Sequence, residues 1–294
     1  MKKIEAKKVK SDKQVKFSFV KLKEIFFHIW KQLEDPYYTG FAAQTAYFFF
    51  MASMPTLIVL SQFLGFFNIS LDAIRSWVEA HVDSHMSGFV MGLFSASSVK
   101  MTNLVMVALA FWSASSLQFS LSRLSSHILS RGTYRFNFWT ERLKAVPNAI
   151  FSITAIAFTL AVYVYGEQIF NEIFGNYHLA KILLNIRLPI AFMLFFAMIL
   201  FNYYMIPRLK ISVRAVIPGA VLATIGIMIV TAVYAYYVGY VANYDILYGS
   251  FTNIVALMLW FYLISWVICI GMMFNRAWDE IMEKNRIKYR KKKL

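Results

Sequence analysis

The sequence predicts an all-α membrane protein, a polytopic bundle of about six transmembrane helices preceded by an amphipathic helix at the membrane interface. Hydrophobic residues make up 59% of the 294 residues and charged residues only 15%, and the mean hydropathy is +0.56. Long windows without charge recur along the chain, and most lysine and arginine residues lie at its two ends or between alternate windows. A chain of this composition is too apolar for water and suits lipid as its solvent.

Six windows contain no Asp, Glu, Lys or Arg. Each has room for the about 20 apolar residues that cross a hydrocarbon core of about 30 Å as a helix. Continuously apolar runs favour helices over barrel strands, which would alternate over about 10 residues. The windows lie between Asp35 and Asp72, Lys100 and Arg123, Lys144 and Glu167, Arg187 and Arg208, Arg214 and Asp245, and Asp245 and Arg276.

Lysine and arginine predict the orientation, because cytoplasmic loops carry an excess of both. With the N-terminus inside, 26 of the 30 Lys and Arg residues fall in residues 1–40, 123–144, 206–214 and 275–294, which would all be cytoplasmic. The four on the other side are Arg75, Lys100, Lys181 and Arg187. This split predicts that both termini lie in the cytoplasm.

Residues 84–99 compete as a seventh span. They carry no charge, but they number only 16 and include His85, Gly88 and Gly92. A seventh crossing here would invert every later loop and place the basic tail outside. We therefore interpret the segment as a re-entrant or surface segment on the external side.

Apolar residues ahead of the first window recur on one helical face and predict a short amphipathic helix in the cytoplasmic interface. The alternative is a soluble helix that caps the bundle. The face comprises Phe19, Leu22, Phe26, Ile29, Trp30 and Leu33. The predicted organisation is a basic cytoplasmic N-terminus with this helix (1–35), a six-helix transmembrane domain (36–275) and a basic cytoplasmic tail (276–294).

Polar residues inside the first window are candidates for a substrate path. Gln44, Tyr47 and Ser53 each need a partner, because an unmatched polar group in hydrocarbon is costly. Pro55 lacks a backbone donor and predicts a kink. Helix–helix hydrogen bonding and a packing kink are one interpretation of these residues. A polar cavity beside a broken helix, as in many transporters, is the other.

The second window ends in a run of small polar residues that allows close helix packing or forms a hydroxyl-lined track. Its candidates for the path are Trp112, Ser113 and Ser116. Four arginines follow it, and positive-inside bias explains them first. Recognition of a lipid phosphate is their second predicted role, because a guanidinium fits phosphate bidentately. They are Arg123, Arg131, Arg135 and Arg142.

Tyrosines cluster at the end of the fifth window and just beyond it, beside the lone acid Asp245. Tyr244 and Tyr248 complete the candidates for the path, and an interfacial aromatic belt is the alternative interpretation. No P-loop, HExxH, CxxC or GxSxG motif occurs in the sequence. We therefore predict no catalytic residue, no metal and no cofactor. The inside-only distribution of charge accounts for the net charge of +15 without nucleic acid.

These residues also carry a resemblance that extends from about residue 36 to about residue 280. The chain resembles the YihY/virulence factor BrkB family of bacterial inner-membrane proteins. The matching pieces are Ala43–Pro55, Phe111–Ser116, Arg131–Arg142, Pro207 with Pro218-Gly219-Ala220, Tyr244-x-x-x-Tyr248-Gly249-Ser250, and Leu259-Trp260-x-Tyr262. The resemblance implies six helices with both ends inside, and a role in envelope lipid handling or export.

Two positions depart from the family pattern. The family often ends its last span with Gly-Ala-Glu-x-Asn, whereas this chain has Gly271-Met272-Met273-Phe274-Asn275 and lacks the acid. His127 stands where the family usually has an asparagine. Members have been labelled ribonucleases, but no set of acids or metal ligands in this sequence suits phosphodiester chemistry.

The sequence as a whole favours a non-enzymatic transporter or lipid translocase. The alternative is a structural or regulatory membrane protein that binds partners without transport, and a membrane enzyme comes third. The expected partners are membrane lipids, anionic ones above all, and the sequence leaves a homo-oligomer open. It does not determine the substrate, the energy source or the direction of transport.

Overall fold

The computed structural model describes residues 19–66, 76, 100–130, 132–133, 137–174, 177–207, 212–240 and 252–291. Seven α-helices make up the regular structure of these residues, and they contain no strand, so the all-α prediction is confirmed. The helices are α1 (Phe19–Leu33), α2 (Pro36–Phe66), α3 (Lys100–Ser130), α4 (Phe138–Phe174), α5 (Tyr177–Met205), α6 (Val213–Tyr240) and α7 (Thr252–Lys291).

Helices α2 to α7 each have at least 28 residues. At 1.5 Å per residue this exceeds the about 30 Å of a hydrocarbon core. By length and apolar composition together, two of the described segments could cross a membrane, Val213–Tyr237 and Ile254–Ile281, and Pro189–Met205 is a shorter apolar helix. The count of six spans stays a prediction.

The ends of the helices follow from local sequence. Asp35 accepts a hydrogen bond on Oδ1 from the Tyr37 amide at 3.0 Å and so caps α2, whose first residue is Pro36. Gly132 takes the left-handed conformation (φ 78°) after α3, and its amide donates to the His127 carbonyl. Ser212 precedes α6, and its carbonyl accepts from the Ala215 amide.

Helices α2 to α7 form a closed ring in which each packs on the next and α7 returns to α2. Helix α3 also reaches α7, and α1 packs on α7 from outside the ring. The core cluster draws on α1, α2, α3, α5, α6 and α7, with Leu124, Ile128, Val216, Met273 and Cys269 among its most buried members.

Helices α2 and α3 are antiparallel. Thr45 faces Ser120 with the two hydroxyl oxygens 3.2 Å apart, and Asp35 lies 4.0 Å from His127. The residue numbers of these two contacts run in opposite directions along the helices. The C-terminal end of α2 at Phe66 and the N-terminal end of α3 at Lys100 therefore lie at the same end of the bundle. The competing segment 84–99 lies outside the described residues.

Helix α1 forms where the sequence predicts it, and two of its faces are apolar. Ile25 and Ile29 are buried in the core cluster. Phe26, Phe27 and Trp30 are exposed by 66%, 67% and 58%. The helix therefore packs on the bundle with one face and leaves an aromatic face outward. Its place in the cytoplasmic interface stays a prediction.

Helix α7 continues past the predicted domain boundary at 275. Ala277 and Ile281 are buried in the core cluster, and the helix ends at Lys291. The first residues of the predicted tail thus belong to the bundle.

Candidate functional site

One face of α3, together with neighbouring side chains of α2 and α4, holds the two described arginines of the predicted phosphate-binding set. We call it the arginine face, and it consists of Trp112, Ser116, Phe119 and Arg123 of α3, Phe41 of α2 and Arg142 of α4. Ser116 and Arg123 are seven residues apart, which is about two helical turns, so they share one side of α3. Helices α2 and α4 flank α3 here. Trp112 is exposed, the two arginines are half-buried, and the other members are buried, so the face reaches the surface of the bundle at Trp112.

The Arg142 side chain is held on this face by two hydrogen bonds and by contacts with aromatic rings. Its Nη2 donates to the Ser116 hydroxyl at 2.8 Å and to the Trp112 carbonyl at 3.2 Å. Its guanidinium carbon lies 4.4 Å from the centroid of the Trp112 ring and 5.9 Å from that of Phe119. Burial lowers the pKa of Arg142 from its ordinary value, but a guanidinium stays charged at any physiological pH. Nε and Nη1 have no bond to the described residues, so they can donate to a ligand.

Arg123 lies toward the end of α3 where α4 begins, with its guanidinium carbon 5.6 Å from the centroid of the Phe41 ring. Both arginines thus lie over aromatic rings, and of these rings that of Trp112 is exposed while those of Phe41 and Phe119 are buried. Trp112 is 67% exposed, and Phe138, Trp139 and Leu143 at the start of α4 are exposed as well. Aromatic side chains of this kind are typical of headgroup level in a membrane.

A buried amide network lies on the opposite side of α3, between α3, α4 and α5. The Gln118 amide nitrogen donates to the Ser152 hydroxyl at 2.9 Å and to Asn202 Oδ1 at 3.1 Å. The Asn148 amide nitrogen donates to Gln118 Oε1 at 2.7 Å and to Asn202 Oδ1 at 3.3 Å. Ser152 also donates to Asn202 Oδ1 at 3.1 Å. One carbonyl oxygen, that of Asn202, therefore accepts three bonds from two helices.

The network has one acceptor left over. Asn148 Oδ1 is buried and has no hydrogen-bond partner. The Asn202 amide nitrogen, in contrast, donates to the Met198 carbonyl of its own helix at 2.8 Å. A buried oxygen without a partner costs about 1–3 kcal/mol, so this network can take one further donor.

The residues predicted in the first window differ in their surroundings, and their role in a path stays a prediction. Tyr47 is 48% exposed and packs edge-on against Phe48, its neighbour in α2. Ser53 donates to the Phe50 carbonyl of its own helix at 2.7 Å. Gln44 is half-buried. The buried polar contact of α2 is made instead by Thr45, which faces Ser120 of α3.

The other predicted residues fall into three groups. Trp112 and Ser116 lie on the arginine face, and Ser113 is half-buried in the same helix. Pro55 lies within the continuous helix α2, but its side chain lies outside the described residues. Tyr244, Tyr248, Arg131 and Arg135 also lie outside them.

Sequence reasoning missed the amide network, although a signal for it existed. Gln118, Asn148 and Asn202 are all amides within charge-free windows. An amide in hydrocarbon needs partners for both its oxygen and its nitrogen, and a second amide on another helix supplies them. Only the packing of α3 against α4 and α5 decides that these three meet.

Within the described part of the chain, no group of three or more His, Cys, Asp or Glu residues is placed to hold a metal ion. The single cysteine, Cys269, is buried in the core cluster between α6 and α7. The polar features that the structure assembles are therefore the arginine face, the amide network and a cavity near the end of α7.

Comparison with known proteins places these features in a family. The family model described as virulence factor BrkB matches residues 29–294. The chain is 27% identical over 240 residues to a protein of Bacillus subtilis named the ribonuclease-like protein YfkH, covering 78% of this chain and 86% of that one. It is 25% identical over 287 residues to a UPF0761 membrane protein of Alteromonas mediterranea, covering 93% and 94%.

A third relative is longer. A UPF0761 membrane protein of Xanthomonas campestris is 28% identical over 260 residues, which is 81% of this chain and 56% of that protein. No solved structure gives a significant match.

Proposed function

Because the chain belongs to the virulence factor BrkB family of membrane proteins, we propose that it is a non-enzymatic lipid translocase of the bacterial inner membrane. The proposal rests on the position and hydrogen bonding of Arg142. A half-buried guanidinium with two unused donor nitrogens lies over an exposed tryptophan at the surface of the bundle. That position suits the phosphate of a lipid whose chains stay in the membrane beside the bundle.

Chemistry favours a phosphate at this position. A guanidinium on an apolar surface is costly unless an anion shares its charge, and arginine binds phosphate through several donors at once. Arg123 lies about two turns from Ser116 on the same side of α3, so a headgroup would meet a second cation along that side. Anionic lipids gain most from two such cations.

Translocation also needs polar groups deeper in the bundle, and the amide network supports this part of the proposal. Gln118 and Asn148 join α3 to α4 within charge-free stretches of both helices. The unpaired Asn148 oxygen can accept a hydroxyl or ammonium proton of a headgroup. In the proposed mechanism, the arginine face captures the headgroup and the network lowers the cost of its passage past α3.

The proposal assigns no catalytic residue. The name of the YfkH relative concerns that protein, and we propose that this chain acts without breaking a covalent bond. Both ends of the chain are proposed to be cytoplasmic, with six crossings. The antiparallel packing of α2 and α3 supports an even number of crossings in total, because a single extra span between them would make them parallel.

Lipid flux in vesicles tests the proposal. Purified protein in vesicles with fluorescent anionic lipid should make that lipid accessible from both leaflets, measured by chemical quenching from outside. Arg142→Lys should slow the flux about tenfold or more, because lysine keeps the charge but cannot both bind Ser116 and present further donors in a plane. Lys144→Arg, nearby and exposed, is the matched control. Flux equal to that of protein-free vesicles would refute the proposal.

A structural role without transport is the second candidate, and the amide network also fits it. Interhelical amide bonds stabilise membrane bundles by about 0.6–2 kcal/mol each. Gln118→Leu should then lower the melting temperature in detergent and leave flux per folded molecule unchanged. For a translocase we expect the same change to reduce flux per folded molecule. The two measurements on one variant therefore separate the candidates.

A further inference from the structure

A partly open cavity of about 310 Å³ lies between α3, α5, α6 and α7, near the ends of α3 and α5. It is separate from the arginine face, which α2, α3 and α4 form. Its polar lining comes from Ser125, Tyr203, Asn275, Arg276, Asp279 and Glu280. The volume is at the lower end of the range for small-molecule pockets, so it suits a ligand the size of a lipid headgroup rather than a whole lipid.

The orientation of Asn275 is fixed by α6. The Gly219 amide donates to Asn275 Oδ1 at 2.6 Å, so the carbonyl end of the side chain points at α6. The amide nitrogen is therefore the end that remains for the cavity, and it bonds to none of the described residues. Asn275 is only 7% exposed. A buried amide with two unused N–H groups is a donor site for an oxygen ligand.

Arg276 supplies a second donor. Its Nε donates to Glu280 at 2.9 Å, and its Nη1 donates to the Ile128 carbonyl at the end of α3. These bonds hold the guanidinium plane and leave Nη2 to donate. Asn275 and Arg276 are adjacent on α7, so the cavity presents donors, one of them charged, that suit a phosphate or carboxylate.

The same cavity presents acids at its mouth. Asp279 is exposed and lines the cavity, and it makes no ion pair with the described residues. It lies four residues after Asn275, which is about one helical turn. Glu280 beside it is paired with Arg276. The lining therefore carries a net negative charge, which disfavours a simple anion, and it places the acid Asp279 close to the donors of Asn275 and Arg276.

We propose that this cavity binds a small zwitterion, in which a primary ammonium lies a few atoms from a phosphate or carboxylate. The acid group would meet Asn275 and Arg276, and the ammonium would meet Asp279 one turn away. Such a group occurs in an ethanolamine phospholipid headgroup and in a free amino acid. This site does not depend on the arginine face or on translocation.

Binding by calorimetry on the purified full chain tests the site. The probes are O-phosphoethanolamine and glycine as zwitterions, with glycerol phosphate as the anionic half and ethanolamine as the cationic half. We expect at least one zwitterion to bind at least about tenfold more tightly than either half. Preference for phosphoethanolamine would point to a lipid headgroup, and preference for glycine to a free amino acid. Equal binding of a half, or no binding of either zwitterion, would overturn the proposal.

Two isosteric variants test the residues proposed to bind the two charged groups of the zwitterion. Asn275→Asp keeps the oxygen that accepts from Gly219 but removes the donor, and Asp279→Asn removes only a charge on an exposed side chain. Each should weaken binding of the zwitterion at least about tenfold. Glu24→Gln, an exposed acid on α1, is the control and should leave binding unchanged. If Asn275→Asp does not fold, Asp279→Asn decides alone, and wild-type affinity in that variant contradicts the site.

Discussion

Hydroxyl and amide side chains in this bundle find their hydrogen-bond partners in different places. Most hydroxyls donate to the carbonyl about one turn earlier in their own helix, as Thr154, Thr159, Thr224 and Ser265 do. These bonds satisfy the hydroxyl without linking helices. Amides have two ends, and those of Gln118 and Asn148 reach other helices. At the scale of single residues, the amides and arginines are therefore the groups that connect elements or face ligands.

His127 is the residue for which we predict a pH effect. It lies after the second charge-free window, between Asp35, Tyr37 and Tyr38 of the α2 start and Arg276 of α7. Burial lowers its pKa below the ordinary value of 6.5, Asp35 partly opposes this, and Arg276 adds to it. The unfolded chain therefore binds a proton more readily than the folded one, and the folded state loses stability as the pH falls through 6.5.

The expected result is a melting temperature that drops between about pH 7.5 and about pH 5, and a smaller drop in His127→Asn. Thermal unfolding in detergent measures both. His28→Asn on α1 is the control and should keep the wild-type drop. An identical pH profile in wild type and His127→Asn would show that another group is responsible.

At the scale of elements, the backbones of α6 and α7 approach each other closely at Gly219 and Gly271. A Cβ on Gly219 would clash with the Gly271 carbonyl and the Asn275 side chain, and a Cβ on Gly271 would lie 2.5 Å from the Tyr203 hydroxyl. The Tyr203 hydroxyl in turn donates to the Ile268 carbonyl at 2.7 Å. Small residues are what allow membrane helices to approach this closely.

Gly219→Ala should therefore destabilise the bundle by about 1–3 kcal/mol, the usual cost of an overpacked contact. The neighbours of the added methyl group are backbone and a hydrogen-bonded amide, which cannot move away cheaply. Gly226→Ala is the matched control on α6, since its Cβ would meet only the Val267 side chain, at 2.7 Å. We expect a clearly larger loss in melting temperature for Gly219→Ala. The reverse order would contradict the close crossing.

At the scale of the molecule, the ring of α2 to α7 brings the predicted cytoplasmic loops to one end. Asp35 at the start of α2 contacts His127 near the end of α3, Ser122 donates to the Ile206 carbonyl at the end of α5, and Arg276 donates to the Ile128 carbonyl. These three contacts join segments that the positive-inside rule assigns to one side of the membrane.

Reporter fusions test this topology. Fusions after Lys144, Lys210 and Arg276 should give a cytoplasmic signal, and fusions near Asp83 and Asn176 an external one. An external signal at the C-terminus would contradict the even number of crossings and restore the seventh span. A fusion after Lys16 is the control, because the N-terminus is predicted to lie inside in either arrangement.

The sequence by itself determined the class of this protein, its helical content and the end at which its loops meet. Those properties depend on composition, on the length of apolar runs and on the side of the positive charges, which are local quantities. The N-terminal cap of α2 at Asp35 and the end of α3 before Gly132 also depend only on residues close in sequence. The helix α1 could also be predicted, since its apolar residues repeat with helical period.

Only the tertiary structure decided which polar residues meet. Gln44 and Tyr47 looked functional because they are polar in an apolar window, but the rotation of α2 turns Thr45 toward α3 instead and leaves Tyr47 outward. Gln118 and Asn202 are 84 residues apart, and no local pattern predicts that α3 and α5 bring their side chains within 3.1 Å. The reason is physical. A charge-free apolar stretch of sequence predicts that a helix forms, whereas packing against neighbouring helices determines how that helix is rotated about its own axis.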